Sequence, residues 1–205
     1  VINLKGIYAV TPDGLKRESL LRKVEDIYRA GIKIVQYRNK TLSDNVNIEI
    51  AMELLEISKK YKGALIINDD PYIAKTVGAK GVHLGQKDIS LKKARQILGP
   101  NSLIGISCQN NLDLALKAQA EGANYVAIGS IFETKTKKDT IKASLPELCN
   151  IVESILIPVV AIGGINSQNI KNLARTNVDM FAISSCLFKT KDCNKTAKSL
   201  LKLIK

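Results

Sequence analysis

The sequence lacks most features of redox, metal-cluster and membrane proteins. Its four cysteines, Cys108, Cys149, Cys186 and Cys193, form no C-x-x-C pair, so neither a thiol redox motif nor a zinc site is predicted. No apolar run approaches the roughly 20 residues that a membrane span requires. The first residues, VINLKGIYAVTPDG, show no charged segment followed by a long apolar one. We therefore expect a cytoplasmic protein with reduced thiols and no membrane partner.

Aromatic residues are also scarce, at 4% of the 205 residues, which leaves few platforms on which single-stranded nucleic acid could stack. The formal net charge is +12, and a basic balance of this size raises the question of a nucleic-acid partner. The lysines are scattered along the chain rather than gathered in one block. We expect a solvated lysine-rich surface that suits anionic substrates, and keep a basic nucleic-acid-binding barrel as an alternative of another class.

Eight short apolar runs, rich in β-branched residues, recur at fairly even intervals. Near-continuous hydrophobicity of this kind is typical of strands buried on both faces of a parallel sheet. Between the runs lie stretches with helical periodicity, several of which finish with a glycine before the next run. The runs are 5–11, 32–38, 64–68, 81–85, 103–108, 125–129, 157–163 and 180–185, and the helical stretches include 20–31, 49–63, 112–123 and 167–177.

Eight strand–helix units in tandem, without a linker or a shift in composition, predict a single-domain (β/α)8 TIM barrel over residues 1–205. The alternative is an open doubly wound sheet, whose first turn would carry the pattern G-x-G-x-x-G. That pattern is absent after the first run, which favours the barrel.

Two aspartates follow neighbouring runs. Asp69 comes directly after the third run and Asp88 soon after the fourth, so a barrel would deliver both carboxylates to the same side of its catalytic rim. Two nearby carboxylates are unfavourable unless a cation or a proton lies between them, and oxygen ligands of this kind suit Mg²⁺. Helix capping by each aspartate is the alternative, and capping is the role we expect for Asp70.

Other strand ends carry groups that suit phosphates. Gln36 and Arg38 alternate onto one side of the second strand, and Lys40 follows in the loop. Gly163 and Gly164 would let the backbone approach an anion closely. Further polar residues follow the fifth, sixth and eighth runs: Ser107, Thr134, Thr136, Lys137, Ser184 and Ser185.

Barrels of this type often hold a phosphate in the loops after strands 7 and 8. The rim is therefore predicted to bind two phosphorylated substrates. One site would combine a metal and cations near strands 2 to 4, and the other would use backbone amides near strands 6 to 8. His83, the only histidine, lies inside the fourth run, where we expect a hydrogen-bonded buried side chain rather than a proton shuttle.

The segments YAVTPD, QYRNK, IIND, GVHLGQKD, GIS, FETKTKKD and PVVAIGGI together resemble the thiamine-phosphate synthase family, over nearly the full length. The resemblance implies a transferase that joins 4-amino-5-hydroxymethyl-2-methylpyrimidine diphosphate to 4-methyl-5-(2-hydroxyethyl)thiazole phosphate, giving thiamine phosphate and diphosphate. The diphosphate would leave in a dissociative step, and the thiazole nitrogen would then attack. One Mg²⁺ per active site, small phosphorylated substrates without a nucleic-acid partner, and the homodimer common among relatives are also implied.

The resemblance assigns roles to individual residues. Asp69 and Asp88 would bind the metal, and the catalytic groups would be Arg38, Lys40, Ser107 and Lys137. The pyrimidine diphosphate would contact Gln36, Tyr37, Arg38, Asn39, Lys40, Asn68, Ser107 and Lys137. The thiazole phosphate would contact Thr134, Lys135, Thr136, Gly163, Gly164, Ser184 and Ser185.

The chain departs from the family pattern at several positions. Asn39 stands where the family often has Glu, Cys108 and Gln109 stand where it often has Thr-His, and Ser184 replaces an aliphatic residue. The nearest alternative within the same barrel type is a thiazole tautomerase, which is similar around FET and AIGGI. Those relatives lack the paired aspartates and depend on a histidine after the fifth strand, where this chain has Gln109.

Overall fold

The computed structural model describes residues 2–133 and 144–204. Eight parallel strands close into a barrel in which β1 pairs with both β2 and β8. Pairing of Gly6 with Met180 and of Ala9 with Ile183 makes the closure, so the predicted (β/α)8 barrel is confirmed and the open sheet was wrong. The strands are β1 (Gly6–Val10), β2 (Ile34–Tyr37), β3 (Ala64–Asn68), β4 (Gly81–Leu84), β5 (Leu103–Gln109), β6 (Tyr125–Ile128), β7 (Val159–Ile162) and β8 (Met180–Ile183).

Helices connect the strands and cover the outside of the barrel. Across residues 2–133 and 144–204, no helix is both long and apolar enough to span a bilayer. The helices are α1 (Arg17–Arg29), α2 (Asp44–Lys60), α3 (Pro71–Val77), α4 (Leu91–Leu98), α5 (Leu112–Ala120), α6 (Leu145–Ser154), α7 (Ile170–Leu173), α8 (Ser185–Phe188) and α9 (Cys193–Leu203).

The observed strands differ from the predicted runs by at most two residues at either end. Helix α2 is the larger difference, because it begins at Asp44 rather than at residue 49. Its first turn is polar in sequence, yet Asn47 is buried there and accepts a hydrogen bond from the Tyr37 hydroxyl at 2.8 Å. A polar residue on the inner face of a helix hides the apolar periodicity on which the prediction depended.

Glycine is required after the helices for two different reasons. Gly31 and Gly122 have φ values of 108° and 88°, the left-handed geometry with which a glycine ends a helix. Gly63 is not left-handed, and Lys62 takes that conformation instead, with φ of 51°. A Cβ at Gly63 would come within 2.3 Å of the Tyr28 ring, so this glycine is required by packing.

Strand side chains alternate between two apolar layers. The outer layer fills the space between the strands and the helices and includes Val35, Leu65 and Ile104, all fully buried. Each such side chain contributes about 1.5–3 kcal/mol to folding. The inner layer fills the barrel itself and consists of Tyr8, Val10, Ile34, Ile66, Tyr125, Ala127, Val160, Met180 and Ala182.

Arg95 on α4 ties together the connections that lead into β5 and β6. Its guanidinium donates to the Ser102 carbonyl at 2.5 Å and to the Gly122 carbonyl at 3.2 Å. It also donates to Asn124 Oδ1 at 2.9 Å, and the same oxygen accepts from the Ile104 N–H at 2.8 Å. These contacts lie at the amino-terminal end of the strands. Barrels concentrate stabilising interactions at this end, opposite the rim formed by the carboxyl ends.

Candidate active site

A cavity of about 690 Å³ opens at the carboxyl ends of the strands. All eight strands, or the loops that follow them, contribute to its wall, and its size suits a small organic ligand. Tyr8, Val10, Ala127, Val160 and Ala182 belong both to the inner apolar layer and to the cavity wall. The inner layer therefore forms the floor of the cavity.

A chain of hydrogen bonds crosses this floor from β2 to β5. The Gln36 amide donates to the Tyr8 hydroxyl at 2.9 Å, and the Tyr8 and Tyr125 hydroxyls are 2.8 Å apart. Tyr125 also lies 3.2 Å from His83 Nδ1, and His83 Nε2 lies 2.8 Å from the Ser107 hydroxyl. The expectation of a hydrogen-bonded, buried His83 is confirmed. Burial raises the pKa of both tyrosines well above the ordinary value, so their hydroxyls stay protonated at neutral pH.

The loop after β2 carries two cations and is tied to the loop after β1. Asp13 Oδ2 accepts from Arg38 Nη1 at 2.5 Å, and Asp13 Oδ1 accepts from the Lys40 N–H at 2.8 Å. Thr11 Oγ1 donates to the Arg38 carbonyl at 2.9 Å and accepts from the Arg38 N–H at 2.8 Å. Partial burial opposes ionisation of Asp13, but the hydrogen bonds from Lys40 and Arg38 outweigh it and lower the pKa of the carboxyl.

The two predicted metal ligands meet at the ends of β3 and β4. Asp69 has φ of 66°, a left-handed conformation that aspartate adopts more readily than most residues. Its carboxylate lies 2.8 Å from Lys40 Nζ, while Asp88 Oδ2 accepts from the Gly85 N–H at 2.6 Å. Burial raises the pKa of Asp88, and the adjacent charge of Asp69 raises it further. The two acids are therefore close enough to interact directly.

This donor set fits Mg²⁺. Two interacting carboxylates need a cation or a proton between them, and Mg²⁺ in proteins commonly takes one or two carboxylates together with water and phosphate oxygens. Within the described parts of the chain, no cluster of three or more His, Cys, Asp or Glu side chains is arranged to hold a metal. Asp69 and Asp88 could supply two carboxylate ligands to Mg²⁺.

The other side of the rim is built from backbone and hydroxyl groups. Gly163 and Gly164 have φ values of 106° and 66° and line the cavity with Ser184 and Ser185. A Cβ at Gly163 would lie 2.1 Å from Ser130 Oγ, and one at Gly164 would lie 2.4 Å from the Glu133 carbonyl oxygen. Both glycines are thus needed for contact with the loop after β6, in addition to any contact with an anion.

The structure brings most of the predicted site residues together. Eight of them line the main cavity: Gln36, Arg38, Asn68, Ser107, Gly163, Gly164, Ser184 and Ser185. Lys40, Asn39 and Asp69 line an adjoining pocket of about 150 Å³, which shares Asn68 with the main cavity. Ser185 begins α8 rather than ending β8. The predicted residues Thr134, Lys135, Thr136 and Lys137 lie outside the described residues.

Two of the predicted site residues, Tyr37 and Asn39, have other local partners, and Asp70 takes its expected role. Tyr37 points into the outer layer, where its hydroxyl bonds Asn47, and it reaches only the smaller pocket. The Asn39 side chain accepts from the Thr41 N–H at 2.9 Å and closes a local turn. Asp70 caps α3 by accepting from the N–H groups of residues 72 and 73, as expected.

Sequence reasoning missed several residues of the site. Tyr8 and Tyr125 could have been found from the alternation of inward positions along β1 and β6. Thr11 and Asp13 belong to TPDG, which has the composition of an ordinary turn. Lys189, which lines the cavity beside the strand 8 loop, carries no sequence signal that separates it from the other lysines.

Comparisons with known proteins show the family to which the chain belongs. The thiamine monophosphate synthase family profile matches residues 7–187. A thiamine-phosphate synthase from Clostridium botulinum is 42% identical over 198 residues, covering 96% of each chain. The thiamine-phosphate synthase of Nitrosospira multiformis is 40% identical over 202 residues, which is 98% of this chain and 86% of the relative.

Two solved structures share the fold of this chain. The thiamine phosphate pyrophosphorylase of Pyrococcus furiosus superposes with a TM-score of 0.87 at 33% identity, covering 98% of this chain and 96% of that one. A 3-hexulose-6-phosphate synthase superposes with a TM-score of 0.74 at 16% identity, covering 98% and 100%, and shares the fold alone. Because the family profile spans most of the chain and the relatives are similar over nearly all of it, the chain belongs to the thiamine monophosphate synthase family.

Proposed function

We propose that this chain is a transferase that condenses 4-amino-5-hydroxymethyl-2-methylpyrimidine diphosphate with 4-methyl-5-(2-hydroxyethyl)thiazole phosphate to give thiamine phosphate and diphosphate. One observation carries the proposal beyond family membership. Lys40 pairs with Asp69, which interacts with Asp88 at the neighbouring strand end, and Arg38 lines the adjoining cavity. That combination suits a diphosphate bound with Mg²⁺.

The proposal places the pyrimidine over the polar floor. Gln36 and Ser107 occupy opposite ends of the hydrogen-bond chain that includes Tyr8, Tyr125 and His83. Because both tyrosines stay protonated at neutral pH, the floor presents fixed dipoles to the ring. A network of this kind can orient a heterocycle through hydrogen bonds from its rim.

The diphosphate would lie between the loops after β2, β3 and β4. Arg38 presents a planar fork of N–H donors and Lys40 a compact ammonium, and both can bond phosphate oxygens. Asp69 and Asp88 would hold one Mg²⁺, as the fit of the donor set supports. When bound, Mg²⁺ supplies positive charge that stabilises the diphosphate oxygens as the carbon–oxygen bond breaks. Lys137 is assigned the same role by family resemblance.

The thiazole phosphate would occupy the opposite side of the rim. Gly163, Gly164, Ser184 and Ser185 line the cavity there, and the family resemblance adds Thr134 to Thr136. The diphosphate leaves first, and the thiazole nitrogen then attacks the carbon that carried it. The attacking nitrogen carries no proton, so no general base is needed, and preorganised charge rather than a protein nucleophile supplies the rate enhancement.

The direct test mixes the purified protein with both phosphorylated precursors and Mg²⁺ and measures thiamine phosphate by oxidation to fluorescent thiochrome. Reactions without either precursor, or with a chelator in place of Mg²⁺, are the controls. We expect product only in the complete mixture. No thiamine phosphate from the complete mixture, with a folded protein, would overturn the proposal.

The same experiment addresses the alternatives. A thiazole tautomerase would not form the condensation product, and Gln109 stands on the cavity wall where that activity needs a histidine. A basic nucleic-acid-binding barrel would show salt-sensitive retention of DNA or RNA in a filter-binding titration, which we do not expect. We further propose a cytoplasmic location, since all four cysteines are free thiols, and a homodimer, which light scattering after size exclusion would reveal.

A further inference from the structure

The loop after β1 contributes a carboxylate to the cationic side of the rim. Asp13 follows β1 by three residues and bonds two residues of the loop after β2, one through each carboxylate oxygen. Its partners are the Arg38 side chain and the Lys40 backbone. One aspartate thus touches both residues that the proposed function places on the diphosphate.

The Arg38–Asp13 pair differs from the surface ion pairs of this protein. The Arg38 side chain is 15% exposed, whereas those of Arg17 and Arg29 in their carboxylate pairs are 42% and 55% exposed. Charges that are less exposed are screened less by solvent and salt, so the attraction between them is stronger. Asp13 also bonds a single guanidinium nitrogen, and arginine has five N–H donors. Donors therefore remain for a second anion.

Thr11 supports the same contact from the neighbouring position. Its hydroxyl makes reciprocal hydrogen bonds with the backbone of Arg38, which fixes the point from which the arginine side chain extends. Asp13 then fixes the far end of that side chain and the backbone of Lys40. Together the two residues set the position of the Arg38 guanidinium and of the Lys40 backbone before any ligand arrives, which removes an ordering cost from binding.

We propose that Asp13 is a positioning residue that holds Arg38 and the Lys40 loop in the geometry that receives a diphosphate, an inference that rests on the proposed function of this site. A carboxylate near a phosphate site also repels the ligand. The two effects of Asp13 have opposite signs, so its removal discriminates between them. Positioning predicts weaker diphosphate binding, and repulsion predicts tighter binding.

The experiment compares Asp13→Ala and Asp13→Asn with the unchanged protein. Asp26→Asn is the matched control, because Asp26 also pairs with an arginine, at 2.9 Å with a similar exposed fraction, but lies near the end of α1 away from the rim. Binding of inorganic diphosphate with Mg²⁺ is measured by calorimetry. The KM values for both precursors and the melting temperature are measured in parallel.

We expect Asp13→Ala to weaken diphosphate binding about tenfold, equivalent to about 1.4 kcal/mol. Asp13→Asn should cost about fivefold, because its amide oxygen still accepts from the Lys40 N–H while the charge-assisted bond to Arg38 is lost. The KM for the pyrimidine diphosphate should rise in parallel, while that for the thiazole phosphate stays unchanged. Asp26→Asn should behave as the unchanged protein. If Asp13→Ala does not fold, the isosteric Asn variant carries the comparison.

Unchanged or tighter diphosphate binding in the Asp13 variants would overturn the inference. An equal rise in both KM values together with a lower melting temperature would overturn it too, because that pattern indicates a purely structural role. A double-mutant cycle adds an independent test. If Asp13 acts through Arg38, Asp13→Ala should cost less in an Arg38→Ala background, and strict additivity would contradict us. Diphosphate binding is measured without turnover, so failure of this inference is distinguishable from failure to make thiamine phosphate.

Discussion

The contact between Lys40 and Asp69 leads to two predictions of opposite sign for one substitution. Lys40 Nζ lies 2.8 Å from Asp69 Oδ2, so in the free protein the ammonium neutralises a carboxylate that the proposed Mg²⁺ would need. Lys40→Met removes this charge and keeps the length of the side chain. We expect tighter metal binding in the absence of substrate, and at the same time slower turnover, because the diphosphate loses a cation.

The expected gain in metal affinity follows from the distance and exposure of the Lys40–Asp69 pair. Two unit charges at about 4 Å interact by roughly 1 kcal/mol in water and roughly 4 kcal/mol near a protein surface. The Lys40 and Asp69 side chains are 52% and 31% exposed, so solvent screening places the pair near the lower end, at about 0.5–1 kcal/mol. Metal affinity should therefore rise by about two- to fivefold. Turnover should fall by on the order of a hundredfold, as expected for loss of preorganised charge stabilisation.

Titration of Mn²⁺ into the substrate-free protein, followed by electron paramagnetic resonance, measures the metal affinity directly. Lys59→Met is the matched control, because Lys59 pairs with Glu56 at 2.7 Å on α2, outside the site. Equal or weaker Mn²⁺ affinity in Lys40→Met would refute competition between the ammonium and the metal. Normal turnover would refute the assignment of Lys40 to the diphosphate.

Three further predictions concern catalysis, the second phosphate site and stability. Asp69→Ala and Lys137→Ala should each lower turnover by about a hundredfold or more, and near-normal rates in both would remove the roles assigned to them. Gly164→Val should raise the KM for the thiazole phosphate, since a Cβ there would come within 2.4 Å of the Glu133 carbonyl oxygen; an unchanged KM would contradict this. Arg95→Met should lower the free energy of unfolding in urea by about 2–3 kcal/mol through loss of charged hydrogen bonds, with kcat unchanged, and an unchanged midpoint would show that those bonds contribute little.

The order of the strands and the location of the site could be predicted from the sequence. Fully buried parallel strands have a short, continuous apolar signature, and closure into a barrel places every carboxyl end on one rim. Asp69 and Asp88 therefore belonged to the same side of the rim as soon as their runs were recognised as β3 and β4. Arg38 and Gln36 followed from the same reasoning, because inward positions alternate along a strand.

The same rule predicts that Tyr37 points outward, whereas the family resemblance of QYRNK assigns all five of its residues to the substrate. Tyr37 lies between two inward positions and packs outward against α2. The start of α2 was missed for a different reason, since the buried Asn47 interrupts the apolar pattern. Neither error changed the predicted location of the site, because the position of the rim depends on the strands.

The sequence by itself determined the barrel, the family and the strand ends that line the cavity, because these depend on local periodicity and on motifs within a few residues. Which side chains contact one another across the site was decided by the tertiary structure alone. Asp13 and Arg38 are 25 residues apart, and Lys40 and Asp69 come from different loops. Such contacts depend on how closure of the barrel sets neighbouring strands in register, which no single segment encodes.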